Sequence, residues 1–274
     1  MSPDSDRPTS SPKTGASEPL SVCIVAFNEE HNIRDCLKSV AWADEIVVVD
    51  SLSTDATPQI CRELNVRLIQ RPWPGYVAQK NFALEQARHE WVLCLDADER
   101  VSAKLREEIE EVLRAVGAGR ADCVAYDMPR RVFYLGRWIR HGGWYPGRKL
   151  RLAKRSSARW GGTDPHDHLY ANGKTSHLRG DLLHYTYRDL SDHLRRINKF
   201  TTTAAEEMMK QGVGMPLFHM LTRPQGRFLR MYVLRLGFLD GVPGLVVAAL
   251  SACYVFLKYA KLWEMRRRRP EGPS

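Results

Sequence analysis

Acidic residues are missing where the cations are densest. Arg130, Arg131, Arg137, Arg140, Arg148, Lys149, Arg151, Lys154 and Arg155 occupy a stretch without Asp or Glu, and these nine charges equal the whole formal surplus of +9. The rest of the chain is balanced. The basic segment therefore points to a polyanionic partner: nucleic acid, an anionic membrane or a phosphate-bearing substrate. No Cys-x-x-Cys pair occurs among Cys23, Cys36, Cys61, Cys94, Cys123 and Cys253, which argues against a zinc knuckle or dithiol redox motif. Cys23 and Cys94 sit in apolar runs, as small buried hydrophobes do, and the pattern suits a reducing cytosol. Residues 1–18 hold no apolar core segment and read as a disordered leader, not a signal peptide. There is no internal repeat.

What is present from residue 20 is an alternation of short apolar runs and helical patterns. Runs at 20–27, 45–49, 66–69 and 91–95 read as strands. Helical spacing covers 29–40, 55–64, 76–87 and 102–116, the last opened by Ser102 as a cap. Strand–helix repetition of this kind predicts a mostly parallel sheet covered by helices, in an α/β fold. Ligands in such sheets bind beyond the carboxyl ends of the strands. After Gly119 the rhythm changes. Strands are expected within 122–128 and 178–187 and an amphipathic helix over 189–211, with the basic, aromatic, Gly-rich stretch between.

From Phe228 the chain is strongly apolar. Residues 242–257 are nearly free of charge but fewer than the roughly 20 a membrane crossing needs. Gly237, Gly241, Pro243 and Gly244 predict a bent helical pair. Packed on its own core, that pair is an ordinary hairpin. Flanked by Lys258, Lys261 and Arg266–Arg269, it is a membrane-associating extension on an anionic surface, which is the reading preferred here.

Three strand ends are polar together: Asn28-Glu29-Glu30 after the first, Asp50 to Asp55 after the second, and Asp96-Ala97-Asp98-Glu99 after the fourth. Ser and Thr at such junctions often only cap helices. Asp50, directly after three valines, lies at the sheet rim. Asp96-x-Asp98 follows a buried strand, where two carboxylates can gather around a hard divalent cation, Mg2+ or Mn2+, that leaves positions open for diphosphate oxygens.

Taken in order, Val25-Ala-Phe-Asn-Glu, Val49-Asp-Ser-x-Ser-Thr-Asp-x-Thr, Gln79-Lys-Asn-x-Ala-Leu and Leu95-Asp-Ala-Asp-Glu resemble glycosyltransferase family 2. Within it the chain is similar to lipopolysaccharide core glucosyltransferases, through His141-Gly-Gly-Trp-Tyr-Pro, His184-Tyr-Thr-Tyr and Gly237-Phe-Leu-Asp-Gly. The resemblance implies a GT-A fold, an inverting mechanism, a nucleotide-diphosphate sugar donor such as a UDP-sugar, and a divalent cation. By the same resemblance Asn28 and Glu29 belong to the loop cradling the nucleotide, Asp50 to base recognition and Lys80 to the nucleotide surroundings. Asp96 answers to the ribose side, and Asp98 to the metal. His184 is similar to a late histidine that completes the metal shell, although a lone histidine there also reads as a core residue. Leu52 departs from the pattern, where the family often has Gly.

An inverting transfer needs a carboxylate to take the acceptor proton. Asp167, in Asp164-Pro-His-Asp-His, resembles the acid of a His–acid pair, and Asp164 is the reserve candidate; the bland alternative is a polar turn. In the basic stretch, Trp144, Arg148 and Arg151 suit a phosphorylated glycolipid acceptor, since aromatics stack on sugar faces and Arg binds phosphate bidentately. Interleaved aromatics and cations also suit single-stranded nucleic acid, but the paired acids and apolar tail favour the glycolipid. The competing classes are a nucleotidyltransferase and a non-catalytic carbohydrate- or nucleic-acid-binding protein. The expected organisation is a leader (1–18), a nucleotide-sugar-binding half (19–118), an acceptor half of the same domain (119–188), a helical extension (189–265) and a basic tail (266–274), working at the cytoplasmic face of the inner membrane.

Overall fold

The structure is a computed structural model that describes residues 17–163 and 166–268. In chain order, β1 (Leu20–Ala26), α1 (Ile33–Ser39), β2 (Glu45–Asp50), α2 (Thr57–Glu63), β3 (Arg67–Gln70), α3 (Tyr76–Glu85) and β4 (Trp91–Asp96) realise the alternation read from the sequence. Next come β5 (Glu99–Val101), α4 (Ala103–Gly117), β6 (Ala125–Met128), β7 (Arg130–Tyr134), β8 (Arg137–Ile139) and β9 (Lys149–Lys154). β10 (Ala158–Thr163), β11 (His166–Ala171), β12 (Thr175–His177), β13 (Leu182–His184), α5 (Leu190–Lys210), α6 (Pro216–Leu229) and α7 (Gly241–Arg268) complete it.

The chain forms two compact units. The first takes residues up to Ala97, Val101–Met128 and Leu150–Gly180. Its sheet runs β12-β6-β9-β4-β1-β2-β3. β4, β1, β2 and β3 are parallel, and β9 joins antiparallel to β4. The near-continuous apolar runs of β1, β2 and β4 follow from burial on both faces. Register sets Ala26 beside Asp50 and Val25 beside Asp96, so both acids emerge at the carboxyl edge on either side of β1. Cys23 and Cys94 are core residues, and burial raises both thiols well above their ordinary range. Ser102 caps α4 as its sequence suggests, its Oγ accepting the Leu105 N–H at 3.2 Å.

The second unit takes Asp98–Arg100, Pro129–Lys149 and the described residues from Asp181. Its sheet runs β5-β13-β7-β8. Val132, Tyr134 and Ile139 pack with Met231, Val247 and Ala248, and Ala205 of α5 packs with Tyr259 and Leu262 of α7. The helical pair expected near the C-terminus is present as α6 and α7, but the bend lies earlier than the sequence suggested. Residues 242–257 belong to one continuous 28-residue helix. Pro243 and Gly244 fall in its first turn, where a missing N–H costs nothing, and the chain reverses upstream through a π turn (Arg230–Leu234) and a 3-10 turn (Gly237–Asp240).

Candidate functional site

In the first unit the polar strand ends fold onto one another. Asn28 adopts a left-handed φ of 54°, and its N–H donates to Ser53 Oγ at 2.8 Å. Its Oδ1 accepts the Thr54 N–H at 2.9 Å, and the Glu29 N–H donates to Thr57 Oγ1 at 2.8 Å. Asp50 is completely buried. It accepts the Ser53 hydroxyl, the Ser53 N–H at 3.0 Å and Gln70 Nε2 at 2.9 Å. A carboxylate so placed organises the loop that follows β2. Leu52 in that loop has φ 61°, the left-handed region that explains why glycine suits the position.

The Gln79-Lys80-Asn81 motif acts through three consecutive side chains of α3 that fan out in different directions. Gln79 donates to Ser51 Oγ at 3.0 Å, while Asn81 exchanges two 2.9 Å hydrogen bonds with the backbone of Trp160 on β10. Between them Lys80 Nζ meets Asp96 Oδ1 at 2.7 Å and Asp167 Oδ2 at 2.8 Å, and lies 4.5 Å from the centre of the Trp160 ring. The other oxygen of Asp96 accepts from Arg151 at 2.8 Å. Burial alone would lower the Lys80 pKa, but the Asp96 and Asp167 carboxylates more than reverse it and hold it above the ordinary value. Two cations and two carboxylates thus form a charge-balanced, nearly buried cluster. Four residues singled out from the sequence meet here: Lys80, Asp96, Arg151 and Asp167. Asp164 lies outside the described residues.

In the second unit the Tyr185 N–H donates to Asp98 O at 2.9 Å, and Asp98 Oδ2 stands 3.2 Å from His184 Nε2. His184 is buried and its Nδ1 makes no hydrogen bond. Among the described residues no cluster of three His, Cys, Asp or Glu could hold a metal unaided. A carboxylate oxygen and an imidazole nitrogen 3.2 Å apart fit adjacent corners of an octahedral shell, the remainder being left to diphosphate oxygens and water. His184 also lines a cavity of about 430 Å³ together with Arg130, Trp144, Arg148, Lys149 and Tyr187. The basic stretch is therefore divided: Trp144 and Arg148 serve this cavity, while Arg151 belongs to the Lys80 cluster.

A family model described as glycosyl transferase family 2 matches residues 21–172, which include the polar ends of β1, β2 and β4. The chain belongs to glycosyltransferase family 2. It is 31% identical over 253 residues to the lipopolysaccharide core biosynthesis glycosyltransferase LpsC of Rhizobium meliloti, covering 90% of this chain and 92% of that protein. An uncharacterised glycosyltransferase of Rickettsia typhi is 31% identical over 256 residues, covering 90% of this chain and 87% of that one. Among solved structures, the mannosyltransferase PcManGT of Pyrobaculum calidifontis, in complex with GDP-Man and Mn2+, aligns over 93% of this chain and 90% of that one. Its TM-score is 0.51 at 16% identity, a likeness of fold. The GT-A architecture expected from the motifs is thus the one adopted, and membership decides against the nucleotidyltransferase and non-catalytic alternatives.

Sequence reasoning passed over several residues of this glycosyltransferase. Trp160 closes the Lys80 cluster, and Tyr187 and His193 support Trp144. The Tyr187 and His193 rings stack at 3.9 Å, and Tyr134 lies 5.8 Å from Trp144. Only the bulk of Trp160 beside the glycines Gly161 and Gly162 could have drawn notice; nothing local singles out His193 at the start of an amphipathic helix.

Proposed function

We propose that the protein is an inverting, metal-dependent hexosyltransferase that moves a sugar, glucose by its resemblance, from UDP to a phosphorylated lipopolysaccharide-core glycolipid at the cytoplasmic face of the inner membrane. The observation that carries this reading is the double role of His184. It lies 3.2 Å from Asp98 Oδ2, and it lines a cavity whose other walls include Arg130, Arg148, Lys149 and Trp144. Such walls match a phosphate-bearing sugar: guanidiniums for the phosphate and an indole for a pyranose face. The likeness to LpsC over nine-tenths of both chains supports the acceptor class.

Asp98 and His184 would hold the divalent cation, which would supply positive charge against the departing diphosphate. Asn28, Glu29 and the loop organised by Asp50 would cradle the nucleotide, and Lys80 with Asp96 would face its ribose and phosphates. The acceptor hydroxyl loses its proton to Asp167 as its oxygen bonds to the anomeric carbon. The bond from that carbon to the diphosphate oxygen breaks, and its electron pair leaves on UDP. Asp167 lies 2.8 Å from Lys80 Nζ, and Asp164 is the alternative base.

The membrane location is supported by α6 and α7. Residues 237–268 carry a mean hydropathy of 1.7 over their most apolar window, long enough to cross a bilayer. Their partner α6 carries Arg223 and Arg227, which a spanning hairpin would drag into hydrocarbon. Interfacial attachment avoids that cost. The reading is tested by mass spectrometry of lipopolysaccharide from a strain lacking the gene. Loss of a single core hexose, restored by the wild-type gene and not by an Asp98→Asn allele, is expected. An unchanged core would refute the acceptor.

A further inference from the structure

The sites above leave one motif without a role, Gly237-Phe-Leu-Asp-Gly241, which forms the turn between α6 and α7. The turn is compact because its close approaches are made by glycine: a Cβ on Gly244 would lie 2.0 Å from Gly237 O, and one on Gly237 would lie 2.7 Å from Met231 O. Asp240 is 1% exposed. Its Oδ2 accepts the N–H groups of Arg140 at 3.1 Å and His141 at 2.8 Å, and its Oδ1 lies 3.1 Å from His141 Nδ1. The turn is therefore fastened from within. Its apolar side chains face outward: Leu234 is 71% exposed, Leu236 47%, Phe238 45%, Leu239 51% and Val242 71%. Five large apolar groups in nine positions form a patch that soluble proteins seldom leave uncovered.

The charge around this patch is of one sign. From Met208 to Trp263 the chain has seven Lys or Arg and a single acid, Asp240, which is already engaged. Burial, then Arg235 and Arg230, lower the pKa of Arg227; burial, then Arg223 and Arg227, lower that of Lys258. These cations repel one another for want of anions. Arg235 also packs against the cavity wall, because a Cβ on Gly143 would stand 2.1 Å from its guanidinium. The Gly142 N–H donates to Arg235 O at 2.9 Å.

We propose that the turn between α6 and α7 is a membrane wedge: Leu234, Leu236, Phe238, Leu239 and Val242 enter the headgroup–acyl boundary of an anionic phospholipid bilayer, and Arg227, Arg230 and Arg235 take up its phosphates. The proposal rests on the membrane-face reading above and names the segment that makes the contact. The wedge sets the depth of the enzyme, because Arg235 ties it to the cavity that His184 lines. Apolar insertion and electrostatic attraction are the two signals that stable peripheral binding requires.

The test is flotation of the full chain with phosphatidylcholine vesicles and with phosphatidylethanolamine–phosphatidylglycerol vesicles, for wild type and the separate variants Leu239→Asp and Val242→Asp. Both positions are exposed, so thermal melts and Mn2+–UDP binding are expected to match wild type. Wild type should float with the anionic vesicles alone, and each variant should lose at least about tenfold in partitioning. Variants that float like wild type would overturn the wedge and leave membrane attachment standing. Equal flotation with neutral vesicles would overturn the anionic partner. A wild type that floats with neither would overturn wedge and membrane location together, while turnover of UDP-sugar, measured on the same sample, reports separately on the transfer reaction.

Discussion

Lys80 and Asp167 form a 2.8 Å ion pair across 87 positions of sequence, and the same ammonium reaches Asp96 at 2.7 Å. Removing the ammonium takes the buried cation away from Asp167, while Asp96 keeps Arg151 at 2.8 Å. Lys80→Met is expected to cost roughly 3–5 kcal/mol in urea unfolding, the range for breaking a buried pair from one side, and to abolish transfer. The pH dependence has a definite sign. A lysine whose folded pKa is raised stabilises fully below the ordinary value of 10.5 and loses that contribution as pH climbs through the higher folded value. Wild type should therefore shed stability above about pH 10.5, and Lys80→Met should lack that component. Identical alkaline profiles would contradict the pair's importance.

Asp167→Asn keeps size and hydrogen bonding but cannot accept the acceptor's proton. Transfer is expected to fall by about 10²–10⁴, the usual worth of a general base, with UDP binding by calorimetry unchanged. Asp164→Asn made alongside assigns the base: if it is inactive while Asp167→Asn turns over normally, the roles are reversed.

Asp98→Asn and His184→Gln each remove one of the two side chains proposed to hold the cation. Mn2+ affinity in the presence of UDP is expected to drop by at least about 100-fold, beyond the losses typical of outer-shell changes. UDP binding in chelator should not change. A variant that retains wild-type Mn2+ affinity would show that its side chain is not a ligand.

Legibility followed burial. β1, β2 and β4 are near-continuous apolar runs, so their positions and the acids at their ends could be read directly. β7, β8 and β9 carry Arg130, Arg131, Arg137, Lys149, Arg151 and Lys154 among their apolar residues, so they read only as a basic stretch. Lys80 and Asp96 were recognisable by motif, but their sharing of Asp167 depends on the β10–β11 hairpin, a contact that no local pattern encodes. The reversal between α6 and α7 was misplaced for a similar reason. Gly244 looks like a helix breaker in sequence, yet it is there for a close approach to Gly237 O.

Leu52 offers a test of local strain. Its φ of 61° burdens a β-carbon-bearing residue by about 1–2 kcal/mol, and the side chain is 49% exposed, so little burial is lost on removal. Glycine's extra unfolded-state freedom offsets about 0.5–1 kcal/mol. Leu52→Gly should raise stability by up to about 1 kcal/mol, without loss of UDP affinity. A lower melting temperature would mean that Leu52 makes contacts worth more than its strain.

His193 makes acid sensitivity specific. Its ring stacks on Tyr187 at 3.9 Å, and its Nδ1 is 2.7 Å from the Tyr134 hydroxyl. Burial lowers its pKa to about 4, with Asp192 opposing only in part, and burial pushes Tyr134 up to about 12. The neutral imidazole can accept from the Tyr134 hydroxyl at Nδ1, and a proton on Nδ1 would reverse that bond, the phenol oxygen accepting. Because the folded pKa lies below the ordinary 6.5, the unfolded chain takes up the proton first. The stability contributed by neutral His193 is fully present above pH 6.5 and is lost as pH falls through about 4. Melting temperature should decline across that window in wild type. His193→Phe keeps the stack but cannot titrate. It should start lower at neutral pH, by about 1–3 kcal/mol for the unpaired Tyr134 hydroxyl, and then run flatter on acidification. Parallel slopes for the two proteins between pH 6.5 and 4 would assign the acid sensitivity to other groups.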